Sequence, residues 1–196
     1  MRITRLFPTD IMNFELTEYL PVLREMFNKI DFEQYKDDRY INGYTTYFNN
    51  YSYPKVDGFS DLINELENRC DVLAENQGVD MSMFRTKMIK YWFNRMEYGS
   101  QHGLHTHDEH YVGTFYVNCP DNSANIRYHN TLRETWENYK IPLIVKDNYC
   151  PNLFVDFEPQ EGNVFMWNSW VPHEVLLNLS KTPRDSFSFN MLMVRK

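Results

Sequence analysis

A chain of 196 residues is long enough for one domain with a real core and short for two; at 42% hydrophobic and 16% aromatic residues it needs no staples to fold. Acidic side chains outnumber basic ones 27 to 20, giving a net charge of −7 without any block of like charge, so no general nucleic-acid binding is expected. Cys70, Cys119 and Cys150 are scattered and form no CxxC pair, which excludes a zinc ribbon and argues against a disulfide framework.

The opening MRITRLFPTD lacks a long apolar run and a cleavage-like site, and no 18-residue apolar stretch occurs anywhere. The expectation is a chain with no signal peptide and no membrane span, working in a reducing cytoplasm, or in the host's if phage-encoded. Residues 15–30 place Leu16, Leu20, Leu23, Met26, Phe27 and Ile30 on one helical face, with Pro21 marking either a break or a helix start. The next stretch, INGYTTYFNNYSYP, is aromatic and turn-rich, more strand and loop than helix. A second helix is predicted over 59–77 from Phe59, Leu62, Ile63, Leu66, Cys70 and Leu73, with Ser60 as its N-cap and Gly78 near its end.

From residue 84 the texture changes. FRTKMIKYWFNRMEY, YVGTFYV, ANIRYH, NLFVDF, NVFMW, HEVLLNL and DSFSFNMLMV are short, rich in β-branched and aromatic residues, and separated by Gly, Pro, Asn and Asp. About seven strands at this spacing suggest a sandwich, jelly roll or barrel. The map is a single domain over 1–196, with a helical and mixed region over about 1–83 and a β body over about 84–196. Gly113 marks a bulge or a close backbone approach. Tyr111, Phe115, Tyr116, Phe165, Met166, Trp167 and Trp170 are read as core.

Four of the six histidines, His102, His105, His107 and His110, fall within SQHGLHTHDEH. On an extended segment, residues two apart point to the same side, so His105 and His107 would project together as part of a metal site. A third ligand must come from elsewhere, and His173 in WNSWVPHEV is the candidate. His102, His110 and His129 read as ordinary polar residues, near the site or facing substrate. The plainest alternative for an HxH pair alone is two surface histidines.

The stretch Asn94-Arg-Met-Glu-Tyr-Gly99-Ser-Gln-His-Gly-Leu-His105-Thr-His107 resembles the iron-ligand region of the 2-oxoglutarate, Fe(II)-dependent dioxygenases. In the DNA-alkylation-repair branch an Asn, a Gly and the first ligand His share the spacing of Asn94, Gly99 and His105. Downstream, TPRDSFSFN resembles the superfamily's closing strand. A nearer resemblance is to uncharacterised oxygenases common in bacteria and phages. Their pattern appears here as Phe7-Pro8-Thr9, HTHDEHYVG, WNSWVPHEV and RDSFSFN, strongest over 90–117 and 161–191.

The resemblance implies a mainly β protein with N-terminal helices, built on a double-stranded β-helix of the jelly-roll, cupin-like kind. It implies a dioxygenase using Fe(II), 2-oxoglutarate and O₂ to hydroxylate an unidentified substrate, with release of succinate and CO₂. His105, His107 and His173 would be the metal ligands and catalytic centre. Arg184 would bind the far carboxylate of 2-oxoglutarate, Ser186 would add a hydrogen bond, and Asn94 would assist from a neighbouring strand.

This chain departs from the superfamily in two ways. A histidine, His107, stands where HxD/E enzymes have a carboxylate, and an alternative register would pair His107 with Glu109. Met96 replaces a Tyr that contacts the co-substrate in the alkylation-repair branch. Two other readings remain: a cupin-like metal- or ligand-binding protein without turnover, and a three-His iron or zinc enzyme that does not use 2-oxoglutarate. The residues leave the substrate and the oligomeric state open, a homodimer included.

Overall fold

The computed structural model describes residues 9–36, 41–48, 53–132 and 153–196. Phe7, Pro8, Cys150 and Asn152 lie outside them. Among the described residues ten strands form two antiparallel sheets: β1 Ile11–Glu15, β2 Gly43–Thr45, β3 Phe84–Met96, β4 His102–His105, β5 Tyr111–Asn118, β6 Ile126–His129, β7 Phe154–Phe157, β8 Asn163–Asn168, β9 His173–Val175 and β10 Arg184–Arg195. The larger sheet runs β1-β8-β5-β10-β3-β2 and the smaller β4-β9-β6-β7. This is the jelly-roll arrangement, and the chain is mainly β with two short α-helices, α1 Leu20–Lys29 and α2 Phe59–Asn76.

The central strand β10 shows how the sequence builds both layers. Side chains alternate along a strand, so Phe187, Phe189 and Met191 point to one face and Arg184, Ser186, Ser188 and Asn190 to the other. The aromatic face meets Leu23, Met26 and Phe27 of α1 and Leu62, Leu66 and Cys70 of α2 in the main core. Each such buried side chain contributes about 1.5–3 kcal/mol. The polar face looks between the sheets, where Val112, Tyr116, Ile126, Tyr128, Phe165 and Trp167 form a second cluster. β10 can be buried on both sides because it lies between β5 and β3.

Pro21 opens α1, standing in its first turn, where its missing N–H costs nothing. Four sequence expectations need correction. Trp170, read as core, is 50% exposed. A strand precedes the helices, because β1 pairs along β8 from Ile11–Trp167 to Glu15–Asn163. Ser60 does not cap α2. The N-cap is Gly58, whose φ of 81° is open to glycine without strain. HEVLLNL is a strand only over His173–Val175. Beyond it Leu177 and Leu179 are exposed, while Asn178 is buried and its amide donates to the carbonyls of Met96 and Glu97. Gly113 marks a close approach: a Cβ there would lie 2.4 Å from the Phe189 ring and 2.9 Å from the Phe165 carbonyl oxygen.

Candidate metal centre

β4 and β9 pair so that His105 lies directly opposite His173, with ring centroids 4.2 Å apart. His107 stands two residues beyond the end of β4. Its backbone N–H donates to the Ser169 carbonyl at 3.0 Å, and the Ser169 hydroxyl donates to the Glu109 carbonyl. These bonds staple the segment after β4 to the turn before β9. His107 is thereby held 5.0 Å from the His105 ring and 5.3 Å from that of His173. One donor atom from each of the three imidazoles lies within 4.8 Å of the others. Among the described residues this is the group able to hold a metal ion, and the carboxylate of Glu109 is outside it.

The imidazoles are prepared as ligands. The carbonyls of Gly103 and Val171 sit 2.8 and 2.9 Å from Nδ1 of His105 and His173. A carbonyl only accepts, so each Nδ1 carries the hydrogen and each Nε2 keeps its lone pair. Burial holds all three side chains in the neutral form, the only one that binds a metal. His107 is pushed down to about 4, by burial first and then by His105 and Lys90. His173 lies well below its ordinary value and His105 below it, again chiefly through burial.

The cavity next to the histidines is walled by Trp92, Asn94, Thr114, Tyr116, Trp167, Arg184, Ser186 and Ser188. Arg184 is 2% exposed, and among the described residues no carboxylate pairs with it. Its guanidinium lies 4.8 Å over the Tyr116 ring. One Nη1–H points at Met96 Sδ, a weak acceptor, and Nε–H meets no acceptor. A buried cation without a counter-ion is costly. Asn94 is fixed at both ends: its Oδ1 accepts from Thr45 at 2.8 Å and its Nδ2 donates to Ser188 at 3.1 Å.

Residues 90–190, just over half the chain, match the family model described as "Putative 2OG-Fe(II) oxygenase". The chain belongs to this family. With membership come oxidoreductase chemistry and a requirement for Fe(II), 2-oxoglutarate and O₂, which a three-histidine group suits. Solved structures of low identity share the fold. A Pseudomonas putida prolyl-4-hydroxylase is 14% identical, with 93% of this chain and 92% of that one covered and a TM-score of 0.60. HygX from Streptomyces hygroscopicus, solved with nickel and 2-oxoglutarate, is also 14% identical, with 93% and 82% covered and a TM-score of 0.58. A 2OG-Fe(II) oxygenase-family oxidoreductase from Burkholderia pseudomallei is 13% identical, with 89% and 78% covered and a TM-score of 0.58. No curated protein matches the chain.

The structure therefore brings His105, His107, His173, Arg184, Ser186 and Asn94 around one cavity. His102, read from sequence as a polar residue near the site or facing substrate, stacks on His105 at 4.1 Å and lines the cavity, and burial pushes it down to about 3. The structure also adds two residues that sequence reasoning did not single out. Ser188 and Thr114 join Asn94 in a polar row on the inner wall. Period two from Ser186 was the signal for Ser188. His110 and His129 are occupied elsewhere: His110 Nδ1 accepts from the Met193 N–H, and His129 Nε2 faces Glu174 at 2.9 Å.

Proposed function

We propose that His105, His107 and His173 hold Fe(II), that Arg184 and Ser186 take the far carboxylate of 2-oxoglutarate, and that the protein hydroxylates a substrate with release of succinate and CO₂. The observation that carries this reading is Arg184, buried without a counter-ion on the wall of the cavity beside the three histidines. A protein that merely holds a metal has no use for such a cation, whereas a dicarboxylate supplies what it lacks. Bound iron supplies the O₂ chemistry: one oxygen atom ends in succinate and one in the substrate, and the electrons come from 2-oxoglutarate decarboxylation and the substrate C–H bond.

The remaining roles belong to the chain's own side chains. Arg184 offers a planar fork matched to a carboxylate, where Lys would present only a point charge. Ser186, one pleat along β10, offers a hydroxyl on the same face. Asn94, held by Thr45 and Ser188, sits directly across the β3–β10 ladder from Ser186 and fixes the same wall. With three neutral ligands the protein contributes no negative charge at the metal, so the dianionic co-substrate carries the neutralisation. Met96 explains the departure from the alkylation-repair pattern, because its sulfur packs on the guanidinium and holds Arg184 in place. Among the described residues no helix is long and apolar enough to cross a membrane.

The test is Arg184→Ala. It is expected to weaken 2-oxoglutarate binding by roughly 30- to 1000-fold, the equivalent of about 2–4 kcal/mol for a buried charge-assisted pair, while metal binding stays. Calorimetric titration of the Mn(II)-loaded protein measures both. Unchanged affinity for the keto acid would favour the three-His alternatives that do not use it.

A further inference from the structure

Beside the cavity, past its Trp92 wall, stands a second cation that the proposed reading leaves unused. Lys90 lies on β3, one pleat beyond Trp92, and therefore on the inner face that also carries Asn94. Its ammonium sits 3.3 Å from the centre of the Tyr47 ring. Tyr47 packs edge-on against Trp92 at 4.9 Å, and Trp92 is 6.0 Å from the His107 ring. Among the described residues no carboxylate pairs with Lys90, although the chain carries 27 acidic residues. Across the β3–β10 ladder its partner is Asn190, fully buried, whose amide oxygen and nitrogen meet no hydrogen-bond partner.

Arg184 and Asn190 are six residues apart on β10, roughly 20 Å at the rise of a strand. The four C–C bonds between the two carboxyl carbons of 2-oxoglutarate span roughly 6 Å at most. In the reading above its two ends are taken by Arg184 and the metal centre, so neither is left for Lys90. Arg184 thus lines the cavity and Lys90 stands beyond Trp92 on the same face of the sheet, and the cation beside Tyr47 and Trp92 is left for something else.

We propose that Lys90 is the anchor for the substrate, which carries a carboxylate or phosphate group. That anion pairs with the ammonium against the Tyr47–Trp92 wall, and a nearby carbon is presented to the three-histidine centre. The proposal rests on the three-histidine and Arg184 reading above and adds a substrate class to it.

The test uses protein loaded with Mn(II) and saturating 2-oxoglutarate. Phenylacetate, phenyl phosphate and the neutral phenylacetamide serve as probes, read by paramagnetic broadening of their ring protons in ¹H NMR. At least one of the two anions is expected to broaden at concentrations ten-fold or more below those needed for the amide. Carboxylate preference alone would name a substrate acid, and phosphate preference alone a phosphate ester. Lys90→Met and Lys90→Gln should remove the preference, and Lys90→Arg should keep it. Equal behaviour of anions and amide in the wild type would overturn the proposal, as would a preference that survives Lys90→Met and Lys90→Gln. Failure of the wild type to hold Mn(II) or 2-oxoglutarate would instead remove the reading beneath it, and the proposal with it.

Discussion

At His107 an imidazole stands where related enzymes place a carboxylate, and its position follows from one backbone bond to Ser169. Because the bond is made by the main chain, a change of side chain leaves the geometry in place. His107→Asp should therefore keep metal binding and return a negative charge to the site. His107→Ala should weaken it by an order of magnitude or more. Glu109→Ala should do nothing, since its carboxylate is outside the group of three donors. Metal titration of the three variants decides: loss in Glu109→Ala together with loss in His107→Asp would restore the register that pairs His107 with Glu109. The three grouped histidines could be picked out from sequence because each sits in a short run of unusual composition. Lys90 could not, since a lone Lys on a strand is unremarkable until its neighbours are known.

Elements carry the site by alternation. β10 sends phenylalanines to the helices and Arg184, Ser186, Ser188 and Asn190 inward, so the catalytic wall and the core share one backbone. That coupling makes Gly113 informative. Gly113→Ala drives a methyl into the Phe189 ring and the Phe165 carbonyl, an overpacking that costs about 1–3 kcal/mol. The expected result is a lower Tm, with weakened metal or 2-oxoglutarate binding if β10 shifts; an unchanged Tm would mean that the strands can part freely. The long strands and both helices were legible from hydrophobic periodicity. β1 was not, because five residues after FPTD carry too little pattern. Nor was the end of β9, where Asn178 turns inward to hydrogen-bond carbonyls while Leu177 and Leu179 face out, a tertiary choice that inverts hydropathy.

For the whole molecule, the cost of the site shows in pH dependence. His173 is buried and His102, His105 and His107 are half-buried, all in the neutral form, with values below the roughly 6.5 of an unfolded histidine. The unfolded chain then binds more protons than the folded one as pH falls below about 6.5. Stability of metal-stripped protein should be fully present above that pH and be lost progressively towards about 4. Urea midpoints at pH 7.5, 6 and 5 check the direction, and His102→Gln should flatten the decline. A midpoint independent of pH over that range would mean that the imidazoles are solvated.

If three histidines and a buried arginine make one active centre, the Fe(II)-reconstituted protein releases succinate from 2-oxoglutarate in the presence of O₂. The expected result is succinate formed in proportion to bound iron, abolished in His173→Ala and strongly reduced in Arg184→Ala. No succinate from wild-type protein shown to bind both iron and 2-oxoglutarate, or equal succinate from wild type and His173→Ala, would contradict it.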